Sequence, residues 1–470
     1  MLDKSIENFK DNIVNTTCEL INIPSVSVET ENPDMPFGEG CKNALNYILD
    51  LGKKLGFKTK NVDNYCGYIE FGEGEKLIGL IGHLDVVPSG DGWNTSPFEA
   101  TINDGKIYGR GSIDDKGPVV ASLYAMKSIM DNYKINSRVR LIIGLNEEKS
   151  WKCINYYKEH EEWPSIGFSP DADFPCIYAE KGIATFYIED DYSKYENLPI
   201  KITKIDCKNN AINVVPKFCE VNLNIDTKKL QIQNVIDFIN TSIRELKFDI
   251  DCTLIDQNNL CITSKGVQAH SAHPNLGKNA ISQLIILLNR IFNNYNIKIN
   301  ILDFFEKNIG MEFDGTSLGL NIEDESGALT LNVGHFKIND FKIQLGLNLR
   351  IPVKTPILDV NNIISDICNK YELEAYLAGK QEPLYLSKTH PLVKTLTNIF
   401  NESTNSNLEP IAIGGGTYAR AFPNCVSFGA NFPDDTDMCH QANEFVEIDK
   451  LILASKIYAK AILALTKDSI

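Results

Sequence analysis

The chain has 470 residues, 43% hydrophobic and 23% charged, enough apolar material for sizeable cores and, at about 150 residues per domain, for two or three domains, which excludes a disordered chain. Forty-six Lys plus Arg against 62 Asp plus Glu leave a net charge of −16, which repels phosphate backbones and anionic lipid, so neither nucleic acid nor a membrane is an expected partner. Met1 to Asp11 mixes charges without an apolar signal-peptide core, and twelve Cys are scattered from Cys18 to Cys439 with no Cys-x-x-Cys, which fits a soluble protein of the reducing cytoplasm whose thiols pack as small hydrophobes.

In chain order, 41–55 reads as a helix, 77–82 (Leu-Ile-Gly-Leu-Ile-Gly) as a strand covered on both faces, 117–130 as a helix, and 138–145 as a second buried strand. This alternation predicts an α/β domain with a mostly parallel central sheet flanked by helices. The middle of the chain changes character. Cys219, Val221, Leu223 and Ile225 alternate with polar residues, as do Ile343, Leu345, Leu347, Leu349, Ile351 and Val353, and each run reads as a half-buried strand. An amphipathic helix follows each of them, through Ile232, Val235, Ile236, Ile239 and Ile243, and through Val360, Ile363, Ile364 and Ile367. Asn-Leu-Asn-Ile at 222–225 and Asn-Leu-Arg-Ile at 348–351 lie 126 residues apart, so the middle is expected to be an inserted α+β domain made of two similar strand-helix units. After about Glu382 the α/β pattern returns with a helix at 391–400, a Gly414-Gly415-Gly416 turn, a strand at 426–428 and a helix at 448–465. The expected domains are therefore 1–184 with 383–470, and an insert of 185–382.

Acidic and His residues interrupt the apolar strands at their ends. His83 and Asp85 sit two apart, projecting to one side of an extended backbone, so that Asp85 can orient a metal-binding imidazole without being a ligand itself. Asp114-Asp115 follows Gly-rich turn residues, Glu147-Glu148 follows a strand, and Asp171 and Asp173 close the set. Adjacent carboxylates repel unless cations neutralise them, and an acidic cluster containing His suits two divalent ions bridged by a carboxylate.

Together these residues carry a resemblance. Gly-His-Leu-Asp-Val-Val-Pro at 82–88, Gly-Asp-Gly-Trp at 90–93, Gly-Arg-Gly-Ser-x-Asp-Asp-Lys-Gly-Pro at 109–118, Ser-Pro-Asp-Ala-Asp-Phe-Pro at 169–175, Glu-Lys-Gly at 180–182, Ala-His-Ser-Ala-His-Pro at 269–274, Gly-Gly-Gly-Thr-Tyr-Ala-Arg at 414–420 and His-Gln-Ala-Asn-Glu at 440–444 resemble the PepV-type and carnosinase-like dipeptidases of the dinuclear-metal peptidase family. The resemblance spans nearly the whole chain. It implies His83 and Asp171 as ligands of one metal, Glu148 and His440 as ligands of the other, Asp114 as the bridge, Glu147 as general base and Asp85 as support. It also implies a lid in the insert, with His270 on the reacting carbonyl, Asn213 and Arg350 binding substrate, and Arg350 with the Gly415 to Thr417 turn holding the substrate's carboxylate. The metal would be zinc by default, with manganese or cobalt also suited to these ligands. The expected activity is hydrolysis of small dipeptides by a cytoplasmic monomer, the two units of the insert serving in one chain where single-unit relatives use a dimer. Alternatives are an acylase or desuccinylase of the same family and a metal-binding pseudo-peptidase without catalysis. One departure stands out, because the branch commonly reads Asp-Glu-Glu-Ser-Gly-Trp where this chain has Asn146-Glu147-Glu148-Lys149-Ser150-Trp151, and Lys149 adds a positive charge beside the glutamates. His160, His335 and His390, which have no acidic partners in any motif, are expected to be ordinary packing or surface residues, and Cys439 a packing thiol.

Overall fold

A computed structural model of the protein describes residues 1–208, 210–339 and 341–467. These fall into two compact units, one formed by Met1–Ala179, Leu384–Ile411 and the chain from Gly416 onward, the other by Glu180–Pro383 with Ala412–Gly415.

The first unit is built on a sheet whose strands lie in the order Lys58–Val62, Cys66–Gly72, Arg138–Gly144, Leu77–His83, Ile166–Ser169, Cys425–Ser427, Ile177–Glu180, Leu384–Tyr385. The four strands from Arg138–Gly144 to Cys425–Ser427 are mutually parallel, and the hairpin Lys58–Gly72 adds antiparallel strands on one side. The Leu77–His83 strand is buried along its whole length, as its unbroken apolar run requires for a central parallel strand. The helix Lys116–Asn132 is buried on nearly every face between the sheet and the helices Lys10–Ile21 and Ile448–Leu465. Its Pro118 stands in the first turn, where a missing N–H costs nothing. The helix Pro391–Thr404 starts with Pro at its first position and with His390 Nδ1 accepting from the Leu392 N–H at 3.2 Å, and it stops at Asn405 in the left-handed conformation.

The second unit holds two antiparallel four-stranded sheets, in the orders Ile200–Asp206, Phe218–Ile225, Asn259–Lys265, Ile250–Leu254 and Thr330–Asn339, Lys342–Ile351, Gly182–Asp191, Glu374–Gln381. In each, a hairpin is followed by a helix (Ile232–Leu246 or Ile357–Asn369) and a strand that returns one place further out, so that a split β-α-β unit occurs twice. The strand filling the gap differs in origin. Asn259–Lys265 follows its unit in the chain, whereas Gly182–Asp191 precedes its own by more than a hundred residues. The two sheets and the helix Ala280–Asn294 share one continuous apolar core.

One strand departs from expectation. Phe218–Ile225 alternates buried and half-buried as its pattern requires, but Lys342–Ile351 is buried on both faces from Leu345 onward, Asn348 and Arg350 included. Its polar face is covered because partners satisfy it. Ser271 Oγ donates to Asn348 Oδ1 at 2.9 Å, Asn348 Nδ2 donates to Thr185 Oγ1 at 3.1 Å, and Arg350 Nη2 donates to Ser271 Oγ at 2.8 Å. No helix among the described residues is long and apolar enough to cross a membrane.

Candidate metal centre

Three of the five candidate ligands of the first unit sit at or beyond the C-terminal end of a parallel strand, where open α/β sheets place their sites, and the other two, Asp114 and His440, lie in loops. His83 is the last residue of its strand, Glu147 and Glu148 follow Arg138–Gly144, Asp171 follows Ile166–Ser169, and Asp114 precedes the helix Lys116–Asn132. Two glycines make room for this packing. A Cβ on Gly82 would lie 2.5 Å from Asp115 Oδ2, and one on Gly144 2.4 Å from the ring of Tyr418.

Two groups of potential ligand atoms share Asp114, one with His83 and Asp171 and one with Glu148 and His440. His83 Nε2 lies 3.1 Å from Asp114 Oδ1 and 3.5 Å from Asp171 Oδ2, while His440 Nε2 lies 3.0 Å from both Asp114 Oδ2 and Glu148 Oε1. Glu147 belongs to neither group among the described residues. Asp85 organises the set. Its two carboxylate oxygens accept from the N–H groups of Glu147 (3.0 Å) and Glu148 (3.2 Å), and its backbone oxygen and side chain lie 2.9 Å and 3.5 Å from His83 Nδ1, which leaves Nε2 facing the acids. Asp115, joined to Asp114 by a cis peptide, is fully buried and accepts from the His83 N–H at 3.1 Å.

This donor set fits two divalent ions. Three carboxylates and two imidazoles converge, with one carboxylate offering an oxygen to each side, and both Nε2 atoms point inward. Without cations the imidazoles are the counter-charges. Burial opposes their protonation, yet neighbouring carboxylates hold His83 well above the usual imidazole range and push His440 up to about 11. Burial likewise raises Glu148 to about 7 and Asp171 to about 6, and it raises Glu147 strongly, opposed by His83 and reinforced by Asp171, Glu148 and Asp85. Lys149 is exposed and is not among the groups that act most strongly on Glu147.

These shifts predict how metal-free protein responds to pH. Carboxyls raised from about 4 to 6 or 7 keep protons in the folded state that the unfolded chain has released, so stability falls as pH rises through that window. The raised imidazole of His440 adds stability that is full below about 6.5 and is lost toward 11, which falls in the same direction. In chelator, the melting temperature is expected to drop steadily from about pH 5 to about pH 8, and the gain on adding zinc to widen over the same range. A chelated melting temperature that is flat or rising would contradict this arrangement of charges.

In the second unit, Asn213, His270 and Arg350 come together around one loop. Val214 bridges to His270, the Ser271 N–H donates to the Asn213 backbone oxygen at 2.9 Å, and Ser271 Oγ accepts from Arg350. Asn213 and His270 are exposed, whereas Arg350 is 3% exposed. A Cβ on Gly414 would lie 2.8 Å from Ala272 Cβ, so Gly414 and its neighbour Gly415 pass close beside this loop. Thr417 lies in the first unit. It is buried, its hydroxyl 2.7 Å from Ser427 Oγ and accepting from the Ala419 N–H at 3.1 Å. The remaining histidines are accounted for locally. His160 stacks on Tyr156 at 3.9 Å, His335 meets Tyr187 edge-on at 5.8 Å, and His390 caps a helix.

Sequence reasoning assigned no role to Glu444, Arg110 or Tyr418, although all three stand in the quoted motifs. Tyr418 is fully buried, 2.6 Å from Cys153 Sγ and edge-on to His83 at 6.2 Å. Glu444 and Arg110 form a buried ion pair at 2.7 Å. Their signal was the position of Glu444 four residues after His440 in a polar loop, which becomes informative only once the partner segment is known.

Comparison with known proteins agrees along the whole length. A protein named "Putative dipeptidase YtjP" from Bacillus subtilis is 37% identical over 462 residues, covering 97% of this chain and 98% of the relative. One named "Putative dipeptidase" from Staphylococcus epidermidis is 34% identical over 472 residues, with 99% of each chain covered. Among solved structures, human carnosine dipeptidase 1 matches with a TM-score of 0.61 at 16% identity (99% of this chain, 98% of that one), and the dipeptidase Dug1p from Saccharomyces cerevisiae with 0.59 at 13% (100% and 98%), which shows a common fold. The family model described as Peptidase family M20/M25/M40 matches residues 79–464, and the chain belongs to that family.

Proposed function

We propose that the protein is a cytoplasmic dinuclear metallo-dipeptidase. His83 and Asp171 would hold one divalent ion, Glu148 and His440 the other, and Asp114 both, with zinc the first choice and manganese or cobalt compatible with the same donors. When bound, such ions supply polarisation of the scissile carbonyl and acidify water. Glu147 takes the proton of the attacking water and passes it to the leaving amine. Its burial favours the protonated form while nearby cations favour the carboxylate, a balance that suits a group which must both accept and release a proton near neutral pH. Asp85 keeps Glu147 in place through the backbone and His83 in the tautomer that presents Nε2. His270 donates to the carbonyl oxygen as negative charge develops there. Arg350 takes the substrate's carboxylate, with Asn213 and the Gly415 to Thr417 turn completing the substrate contacts.

The observation that carries this reading is the pair of ligand groups sharing Asp114, with Glu147 next to them but in neither. The test is metal analysis of protein purified without added metal, run beside a panel of dipeptides and N-acyl amino acids on size-fractionated protein. Two ions per chain and turnover of free dipeptides in the monomer fraction are expected. Preference for acyl-amino acids would move the assignment to an acylase, and two ions with no turnover on either class would make it a pseudo-peptidase.

A further inference from the structure

Three segments that carry candidate ligands meet at one buried ion pair. Glu444 is fully buried, and its carboxylate accepts from five donors. Oε1 takes the N–H groups of Ile113 (3.0 Å) and Asp114 (3.3 Å) and the Ser112 hydroxyl (3.5 Å), and Oε2 takes the Gly111 N–H (3.0 Å) and the Arg110 guanidinium (2.7 Å). Arg110, 1% exposed, reaches the other segments. Its Nη1 also donates to the backbone oxygen of Gln441 at 3.2 Å, one residue past His440, and its Nη2 donates to those of Pro88 (3.4 Å) and Ser89 (3.2 Å), on the loop leaving His83 and Asp85. Neither side chain belongs to either ligand group or touches the reacting atoms as proposed above.

The arrangement is more specific than burial of an ion pair requires. A buried pair contributes little net stability compared with apolar residues of the same volume, so stability alone is a poor account of it. What it does uniquely is geometric. Backbone N–H groups on both sides of Ser112 are fixed on one carboxylate, which sets the turn that presents Asp114, and that carboxylate belongs to the loop that presents His440. His440 adopts a φ of 64°, a backbone conformation that a non-glycine residue keeps only when its surroundings hold it there.

We propose that Arg110 and Glu444 are positioning residues of the metal centre, setting the separation of Asp114 and His440 and so the affinity for the ion of the Asp114, Glu148 and His440 group. The inference rests on the two-ion reading, and stepwise zinc titration of metal-free protein against a competing chelator separates the two. Wild type is expected to bind two ions. Glu444→Gln keeps the size and one acceptor oxygen but loses the charge, and it is expected to weaken one binding step by about 10- to 100-fold while the other changes by less than about threefold. Arg110→Lys keeps a charge against Glu444 but lacks the planar fork that spans three carbonyls, and it serves as the folded test should Glu444→Gln not fold, with the same uneven loss expected. A role limited to general stability would lower the melting temperature and leave both steps alone or weaken both equally, and either result overturns the inference while sparing the two-ion reading. Wild type that binds no zinc overturns the two-ion reading and the inference together.

Discussion

Replacing Glu147 by glutamine is expected to lower turnover by about 10²- to 10⁴-fold, on the order of 3–5 kcal/mol of transition-state stabilisation, while both ions stay bound. Glutamine keeps the shape and leaves the bond from the residue-147 N–H to Asp85 intact, so the Glu148 backbone stays anchored and the ligand groups are undisturbed. What disappears is the carboxylate proposed to take a proton from water, which lies outside both groups. Glu148→Ala, by contrast, removes a ligand and should lose an ion. Metal content by mass spectrometry, read beside turnover, separates the two variants. If Glu147→Gln loses metal as Glu148→Ala does, then Glu147 is a ligand and the base must be sought elsewhere.

Arg350→Ala is expected to raise the Michaelis constant and also to lower turnover, a combined loss of about 2–5 kcal/mol if its guanidinium pairs with a desolvated carboxylate. Arg350 is almost fully buried and its Nη2 is held by Ser271, whose own hydroxyl donates to Asn348, so the side chain is fixed before substrate arrives and spends little ordering entropy on binding. Binding energy gained there, away from the scissile bond, serves to position the carbonyl, which is why turnover falls too. Amidation of the dipeptide's C-terminus should reproduce most of the loss in wild type and add little in the variant. Equal damage to both proteins would mean that Arg350 does not read the carboxylate, and the activity would then be that of a broader amidohydrolase.

The positions of His83, Glu148 and Asp171 are legible because polar residues abruptly end runs such as Leu77–Gly82, and a parallel sheet collects strand ends on one edge, while Asp114 is marked by the Gly-rich turn that precedes its helix. His440 was different. It sits in a loop with no periodicity, and only the ordered set of motifs singled it out. Glu444 is illegible for a related reason, since its partners at 110–114 lie more than 300 residues away and nothing local distinguishes it from a solvated acid. In the second unit the 126-residue repeat anticipates the paired hairpin-helix-strand units, with Phe218–Ile225 matching the last eight residues of Lys342–Ile351. The origin of the gap-filling strands could not be read, because periodicity reports which face a strand buries and not which neighbours it pairs with.

The strand Cys425–Ser427 lies between Ile166–Ser169 and Ile177–Glu180, although both neighbours are made long before it. At a synthesis rate of about 5–20 residues per second, the roughly 250 intervening residues take on the order of 10–50 s to emerge from the ribosome. Throughout that interval the edge of Ile166–Ser169, buried along its whole length in the finished fold, waits without its parallel partner, the type of exposed strand edge on which nascent chains associate with one another. The same delay governs chemistry, because His440 and Glu444 come after the missing strand. The group of Asp114, Glu148 and His440 is therefore assembled later in synthesis than the group of His83, Asp114 and Asp171.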